Sequence, residues 1–383
     1  MPLMVADLDV PATGMRGFTV VDSLVAGRAM GGTRMTDTVS PAELARLARQ
    51  MTLKLALADL PIGGAKAGIV GELPPGPQRD ARLRSFGQAV APLLHGGVYL
   101  GTDEGITFRD RAVIFDAAGH DVADGLHQPL PCSWVTLWDG CADITGHGVA
   151  EATLAAVERL GIAGGPLRVV VQGFGMVGRG AVGRLAELGF LVVGVADRFG
   201  TVSSASGLPL AELLAATDAA GTINRELLPP PVEVSSAPDA WLDQDADVLL
   251  LAATSAALRA DNVHRVKARV VVEGANGPCT DQAILALFAE GVPVVPGIVA
   301  NCGGAMVTGL VLTGRAPVIA DTAALVDELH ERVATQVRTR LVEVFDRAES
   351  AGRPLPVVAV QLAEELARGA TAQTSRDPAA QRM

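Results

Sequence analysis

The sequence predicts an α/β protein of two domains, the second a Rossmann-like, doubly wound parallel sheet. Three observations carry this. From residue 167 onward, apolar runs of strand length alternate with helical stretches, the pattern of βαβ units. A glycine turn, Gly173-x-Gly175-x-x-Gly178, falls between the first of those strands and the helix after it. A length of 383 residues also exceeds what a single core usually holds.

The first half opens with a strand over 17–25, followed by a glycine turn at Gly31-Gly32. A helix then starts at Ser40, a good N-cap, with Pro41 in the first helical position and Glu43 completing an S-x-x-E box. Leu44, Leu47, Met51 and Leu55 recur at helical spacing and mark its buried stripe, on which Lys54 also falls. Residues 71–77 read as a loop, 80–95 as a helix, and 121–145 as irregular. Beyond 167 come a strand over 167–172, a helix from Met176 closed by Gly189, and a strand ending at Asp197. Strands over 246–253 and 268–276 follow, then a helix over 281–290 and the short run VPVVP. After Gly304 the pattern is helical, with amphipathic stretches at 320–350 and 359–368. The expected domains are 1–143, 144–305, C-terminal helices over 306–371 packing back on the first domain, and a disordered tail over 372–383.

Composition narrows the function classes. Hydrophobic residues make up 49% and charged residues 19%, enough for a large core, which Ala, Val and Leu must fill because aromatics are only 3%. A net charge of −11 argues against a nucleic-acid partner. No apolar run approaches the roughly 20 residues a membrane span needs. The N-terminus lacks a basic n-region, so no signal peptide is expected. Cys132, Cys141, Cys279 and Cys302 show no C-x-x-C pairing and suit a reducing, cytoplasmic setting. The histidines show no metal-binding spacing, and no metal is expected.

Only three of the 31 basic residues are lysines. Two of them, Lys54 and Lys66, stand twelve apart in a stretch that is otherwise apolar or glycine-rich. Arginine holds its proton permanently, whereas a desolvated lysine can release one near neutral pH. Chemistry that moves a proton is therefore expected at these two positions. Asp103, on a loop between Gly101 and Gly105, is a carboxylate that could approach a substrate, with Glu104 its rival.

The glycine turn sits in the full context of a dinucleotide fingerprint. Gly173 makes the turn, Gly175 lets the backbone approach a pyrophosphate, Met176 and Val177 open the helix, and Gly178 permits close helix–strand packing. Asp197, at the end of the next strand, would accept the ribose hydroxyls and repel a 2′-phosphate, which favours NAD. Arg198 beside it keeps NADP open.

Several further segments extend these two sites: AMGGTRM around Met30, MTLK ending at Lys54, GGAK ending at Lys66, GTDEG around Asp103, TGHG from Thr145, EGANGP around Asn276, and NCGG from Asn301. With the glycine turn, their order and spacing resemble the glutamate/leucine/phenylalanine/valine dehydrogenase family from about residue 14 to about 310, closest to the leucine/valine/phenylalanine branch. The resemblance implies reversible oxidative deamination of an L-amino acid to its 2-oxo acid and ammonium with a nicotinamide cofactor, and a homo-oligomer. It makes the N-terminal region the substrate domain. Lys54 would hold the α-carboxylate, Lys66 would be catalytic, Asp103 would relay protons to the amine, and Thr145, Asn276 and Asn301 would contact the nicotinamide half of the cofactor.

Glutamate-specific members carry a lysine just before the glycine pair, where this chain has Met30 beside Gly31. A thioether cannot pair with a carboxylate but can line an apolar pocket, so the expected substrate side chain is nonpolar. EGANGP, by contrast, is closer to the glutamate branch. Two alternatives stay open: the same scaffold acting on an unusual biosynthetic amino acid or an imine, and a catalytically silent NAD-binding regulator. His147 stands where a tyrosine is common, and 121–141 matches no family pattern.

Overall fold

The structure, a computed structural model, describes residues 1–121 and 130–376, the last six by backbone alone. Part of the irregular 121–145 stretch thus lies outside the described residues. The chain forms two compact units. The first comprises Met1–Thr136, Ala305–Thr322 and the chain from Leu362; the second comprises Leu137–Gly304 and Ala323–Gln361.

The first unit is built on a five-stranded sheet of β1 (Met4–Val10), β2 (Met15–Val21), β3 (Ala29–Thr36), β4 (Gly63–Val70) and β5 (Val98–Thr102) in the order β1-β2-β4-β3-β5. β2 pairs antiparallel with β1 and β4, while β3 runs parallel to both β4 and β5. Helix α1 (Pro41–Leu57) starts as expected, with the Ser40 hydroxyl accepting from the Glu43 amide at 3.3 Å. It covers one sheet face, so tightly that a Cβ on Gly64 would lie 2.3 Å from the Thr52 amide. On the other face α2 (Pro77–His95) brings Phe86 to 3.3 Å of the Cβ position of Gly17, and α3 (Phe108–Ala118) follows β5. Buried Phe18, Val20, Val39, Leu44 and Ala48 form one core cluster beneath α1.

Gly31 and Gly32 do not form the expected turn. Both lie within β3, where a Cβ on Gly31 would stand 1.7 Å from the Ala65 carbonyl oxygen and one on Gly32 2.7 Å from that of Thr102. The glycines serve close strand approach, a use of glycine that turn statistics do not separate from reversal.

Two short helices, α4 (Trp134–Gly140) and α5 (Ile144–Arg159), lead toward the seven-stranded sheet of the second unit. Its strands are β6 (Arg168–Gln172), β7 (Leu191–Asp197), β8 (Gly200–Ser203), β9 (Glu233–Ser235), β10 (Val248–Leu251), β11 (Val270–Glu273) and β12 (Val294–Val295), in the order β12-β11-β10-β6-β7-β8-β9. The first five in that order are parallel, and β8 and β9 close the edge antiparallel. The chain leaves β6 for β7 on one side and later returns to β10 on the other, so the end of β6 is the topological switch point of a doubly wound sheet. Helices α6 (Met176–Glu187), α7 (Leu210–Ala215), α8 (Asp281–Ala289) and α9 (Gly297–Ala300) complete this region.

The C-terminal helices are α10 (Gly303–Leu312), α11 (Thr322–Ala351) and α12 (Leu355–Arg376). They do not all return to the first unit as expected: nearly all of α11, from Ala323, belongs to the second. There Val333 lies 3.2 Å from the Cβ position of Gly148 on α5. α12 runs to Arg376, into the stretch expected as tail, and residues 377–383 lie outside the described ones. Among the described residues no helix is long and apolar enough to cross a membrane, and no group of His, Cys, Asp and Glu is arranged to hold a metal ion. None of the four cysteines forms a disulfide.

Candidate active site

Sheet register in the first unit gathers its chemistry on one face. Met30 aligns with Gly64 and Arg34 with Gly68 across the parallel β3–β4 pair. Side chains two apart share a face, so Met30, Arg34 and Lys66 lie on the α1 side. Small residues flank Lys66 there, at Gly64 and Gly68, leaving its amine directed to one acceptor. Lys66 Nζ stands 2.5 Å from Asp103 Oδ2, with the Lys66 side chain 8% exposed. Asp103 immediately follows β5, and Gly32 lets it come close, since a Cβ on Gly32 would be 2.8 Å from the Asp103 Cβ.

Asp103 has a second cation. Arg34 Nε donates to its Oδ2 at 3.3 Å, and the same guanidinium pairs with Glu43 and lies 3.6 Å from Glu104. Burial alone would push the Asp103 carboxyl up, but Lys66 and then Arg34 outweigh it and hold its pKa at about 2. Glu104, the rival carboxylate, is far more exposed than Asp103, and its side chain approaches this cluster at Arg34. Sequence reading missed the double use of Arg34 and Glu43; the signal was the short step from β3 to the N-cap of α1. Met30 and Lys54 are both buried, Lys54 in the last turn of α1, and Gly31 is locked against Ala65.

In the second unit the glycine turn fits a dinucleotide. Gly173 has φ +100°, and its Cβ position is 2.6 Å from the Ala253 amide, so no other residue is accommodated. A Cβ on Gly178 would stand 2.0 Å from the Gly173 carbonyl oxygen. Gly175, the N-cap of α6, faces open space instead, as backbone approach to a pyrophosphate requires. Met176 is exposed and Val177 half-buried in the first turn.

Asn301 donates through Nδ2 to the carbonyls of Gly274 (3.0 Å) and Ala275 (3.1 Å), while its Oδ1 is buried without a partner. An orphaned buried acceptor suits an incoming amide donor such as a carboxamide. Thr145 Oγ1 accepts from the Gly304 amide at 3.2 Å, and Asn276 is exposed in the loop after β11. Glu273, which opens the EGANGP segment but had no role assigned from sequence, ties this loop down: its carboxylate accepts from the amides of Gly297 (2.9 Å) and Cys279 (3.3 Å). Burial pushes the Glu273 carboxyl up.

Asp197 departs from its expected posture. Both carboxylate oxygens are taken, by the Arg225 guanidinium and by the amides of Ile223 and Phe199, and the side chain is 3% exposed. Burial works against its charge, but Arg225 and those amides hold its pKa below the usual range. His147, on α5, stacks edge-on against His330 at 4.9 Å, and burial, more than the neighbouring imidazole, pushes its pKa down.

A glycine turn of this build at the switch point of a doubly wound sheet defines a dinucleotide-binding protein as a class. Residues 139–375 match the model of the glutamate/leucine/phenylalanine/valine dehydrogenases, and residues 4–115 match that family's dimerisation domain. The chain belongs to this family. It is an NAD- or NADP-dependent amino-acid dehydrogenase, acting on the CH–NH2 group of its donor. It is 34% identical over 77% of its length to the NADP(+)-dependent glutamate dehydrogenase of Pyrobaculum calidifontis, covering 71% of that protein. The NAD-specific glutamate dehydrogenase of Staphylococcus aureus is 29% identical over 76% of this chain and 70% of its own length. Among solved structures, the hetero-hexameric glutamate dehydrogenase of Thermus thermophilus in its Leu-bound form superposes with a TM-score of 0.80 at 30% identity. That match covers 97% of this chain and 90% of that one.

Proposed function

We propose that the protein catalyses reversible oxidative deamination of a nonpolar L-amino acid to its 2-oxo acid and ammonium. The observation that carries the chemistry is the pair of buried Lys66 and half-buried Asp103, 2.5 Å apart on the face shared with Met30. Lys54, as a point charge, holds the substrate α-carboxylate. Lys66 activates water at Cα, and Asp103, kept ionised by two cations, takes and returns protons at the substrate nitrogen. A dinucleotide would be held through its pyrophosphate by Gly173, Gly175 and Gly178 and through its nicotinamide half by Thr145, Asn276 and Asn301, and when bound it would supply the hydride acceptor.

Substrate choice rests on Met30. A buried methionine between Ala29 and the locked Gly31 offers an acidic side chain no partner. Glutamate is the second reading, favoured because the relatives named above are glutamate dehydrogenases. A spectrophotometric screen of NAD and NADP reduction against the proteinogenic amino acids decides between them. Leucine, valine, methionine or phenylalanine should exceed glutamate in kcat/KM, and the reverse order would sink the nonpolar assignment. Met30→Lys should lower nonpolar kcat/KM by at least about tenfold, because it places a cation against an apolar side chain. A homo-oligomer is proposed from the match to a dimerisation domain, and light scattering tests it. The cysteines, none of them in a disulfide, suit the cytoplasm.

A further inference from the structure

The adenosine end of a dinucleotide lies, in a doubly wound sheet, beside the acid that ends the strand after the glycine turn. In this chain that acid is Asp197. An unpaired carboxylate there accepts from a ribose hydroxyl and repels a 2′-phosphate. Asp197 has neither property in its observed setting. A carboxylate offers about four lone-pair positions, and four donors fill them. Oδ1 accepts from the Phe199 amide at 2.8 Å and Arg225 Nη2 at 2.5 Å. Oδ2 accepts from the Ile223 amide at 2.8 Å and Arg225 Nη1 at 2.9 Å. Arg225 is anchored in turn, donating to the carbonyls of Ile223 at 2.8 Å and Gly200 at 3.3 Å.

The loop that carries Arg225 also touches the glycine turn. A Cβ on Gly221 would lie 2.5 Å from the Phe174 carbonyl oxygen, and Arg179 of α6 donates to the carbonyl of Asp218 at 2.9 Å. The charges around this corner include Asp197, Asp218 and Glu226 against Arg179, Arg198 and Arg225. Arg198 is exposed, its guanidinium 4.9 Å from the ring centre of Phe199. The corner therefore carries no net negative charge despite the acid at its centre.

We propose that Arg225 sets cofactor selectivity by masking Asp197, so that the site accepts a 2′-phosphorylated dinucleotide alongside the unphosphorylated one. Arg225 acts through Asp197 and is a specificity-determining residue, not a catalytic one. The inference rests on the dinucleotide reading of the glycine turn, and equilibrium binding separates the two. Titrating the full chain with NADH and with NADPH, read by nucleotide fluorescence, should give Kd values within about tenfold of each other, since neither a free carboxylate nor a dedicated phosphate cage is present. Arg225→Gln exposes the Asp197 charge and should weaken NADPH by about tenfold or more, while NADH changes less than about threefold. The double variant Arg225→Gln, Asp197→Asn removes both charges and should recover NADPH binding. It also answers the question if the single variant fails to fold.

Equal losses for both nucleotides in the single variant would overturn the proposal. So would a double variant that binds NADH but still rejects NADPH, since Arg225 would then contact the phosphate itself. A wild-type preference for NADH above about a hundredfold would overturn it as well. A wild-type chain that binds neither nucleotide would overturn the dinucleotide reading, and the proposal with it.

Discussion

Asp103 is the residue whose environment does most to define the chemistry. With a pKa of about 2 against an ordinary 3.8, it stays ionised throughout the neutral range, so the acid limb of the pH–kcat/KM profile should belong to another group. The sign for stability follows from the depressed value. The contribution is fully present above the unfolded pKa near 4 and disappears as pH falls toward 2. Roughly 2 kcal/mol is at stake. Asp103→Asn should therefore leave a chain whose urea midpoint is lower than wild type at pH 7, with the gap closing below about pH 3. Its kcat should fall by about 10²–10⁴-fold if the carboxylate relays protons, and activity within tenfold of wild type would remove Asp103 from the mechanism. Lysine scarcity pointed to Lys66 from sequence alone, because a residue type nearly eliminated elsewhere had survived there. Arg34 was invisible by the same logic: one arginine among many carries no compositional signal, and its partners Glu43, Asp103 and Glu104 meet only through the sheet.

Among the elements, β4 was the hardest to see and β6 the easiest. VVV within β6 is a strand by side chain alone, but GGAKAGIV has three glycines and a lysine, which strand propensity disfavours. Those positions hold glycine because the Ser23 carbonyl presses on Gly63, α1 on Gly64, and Val39 with Leu44 on Gly68, a tertiary reason no local pattern contains. Gly31→Ala tests this. The added methyl would collide at 1.7 Å with the carbonyl oxygen of Ala65, the residue before Lys66. The backbone cannot yield as a flexible side chain would, so a cost of about 3 kcal/mol or failure to fold is expected in urea melts. Ser40→Ala, which removes only the N-cap of α1, should cost about 1 kcal/mol. If Gly31→Ala proves milder than Ser40→Ala, close packing is not why β3 carries its glycine pair.

On the scale of the whole molecule, two-domain order was legible because βαβ periodicity begins abruptly near 167, whereas the destination of the C-terminal helices was not. An amphipathic stretch announces that one face will be buried without saying against what. For α11 the answer is a buried acid. Glu151 of α5, fully buried, accepts from Arg338 of α11 at 2.6 Å and from Arg184 of α6 at 2.8 Å, tying three helices of the second unit together. Removing Glu151 leaves a cavity and takes the shared carboxylate from two arginines that reach solvent, so the loss lies in packing and hydrogen bonds rather than in stranded buried charge. Glu151→Ala should therefore destabilise the second unit by about 2–3 kcal/mol. Hydrogen exchange checks both the size and the place: peptides of α5, α6 and α11 should lose protection while those of β3 and β4 keep it. Protection lost uniformly along the chain would mean that the two units unfold as one. Protection unchanged in α11 would mean that its apolar contacts to α5, such as Val333 beside Gly148, hold it in place without the ion pair.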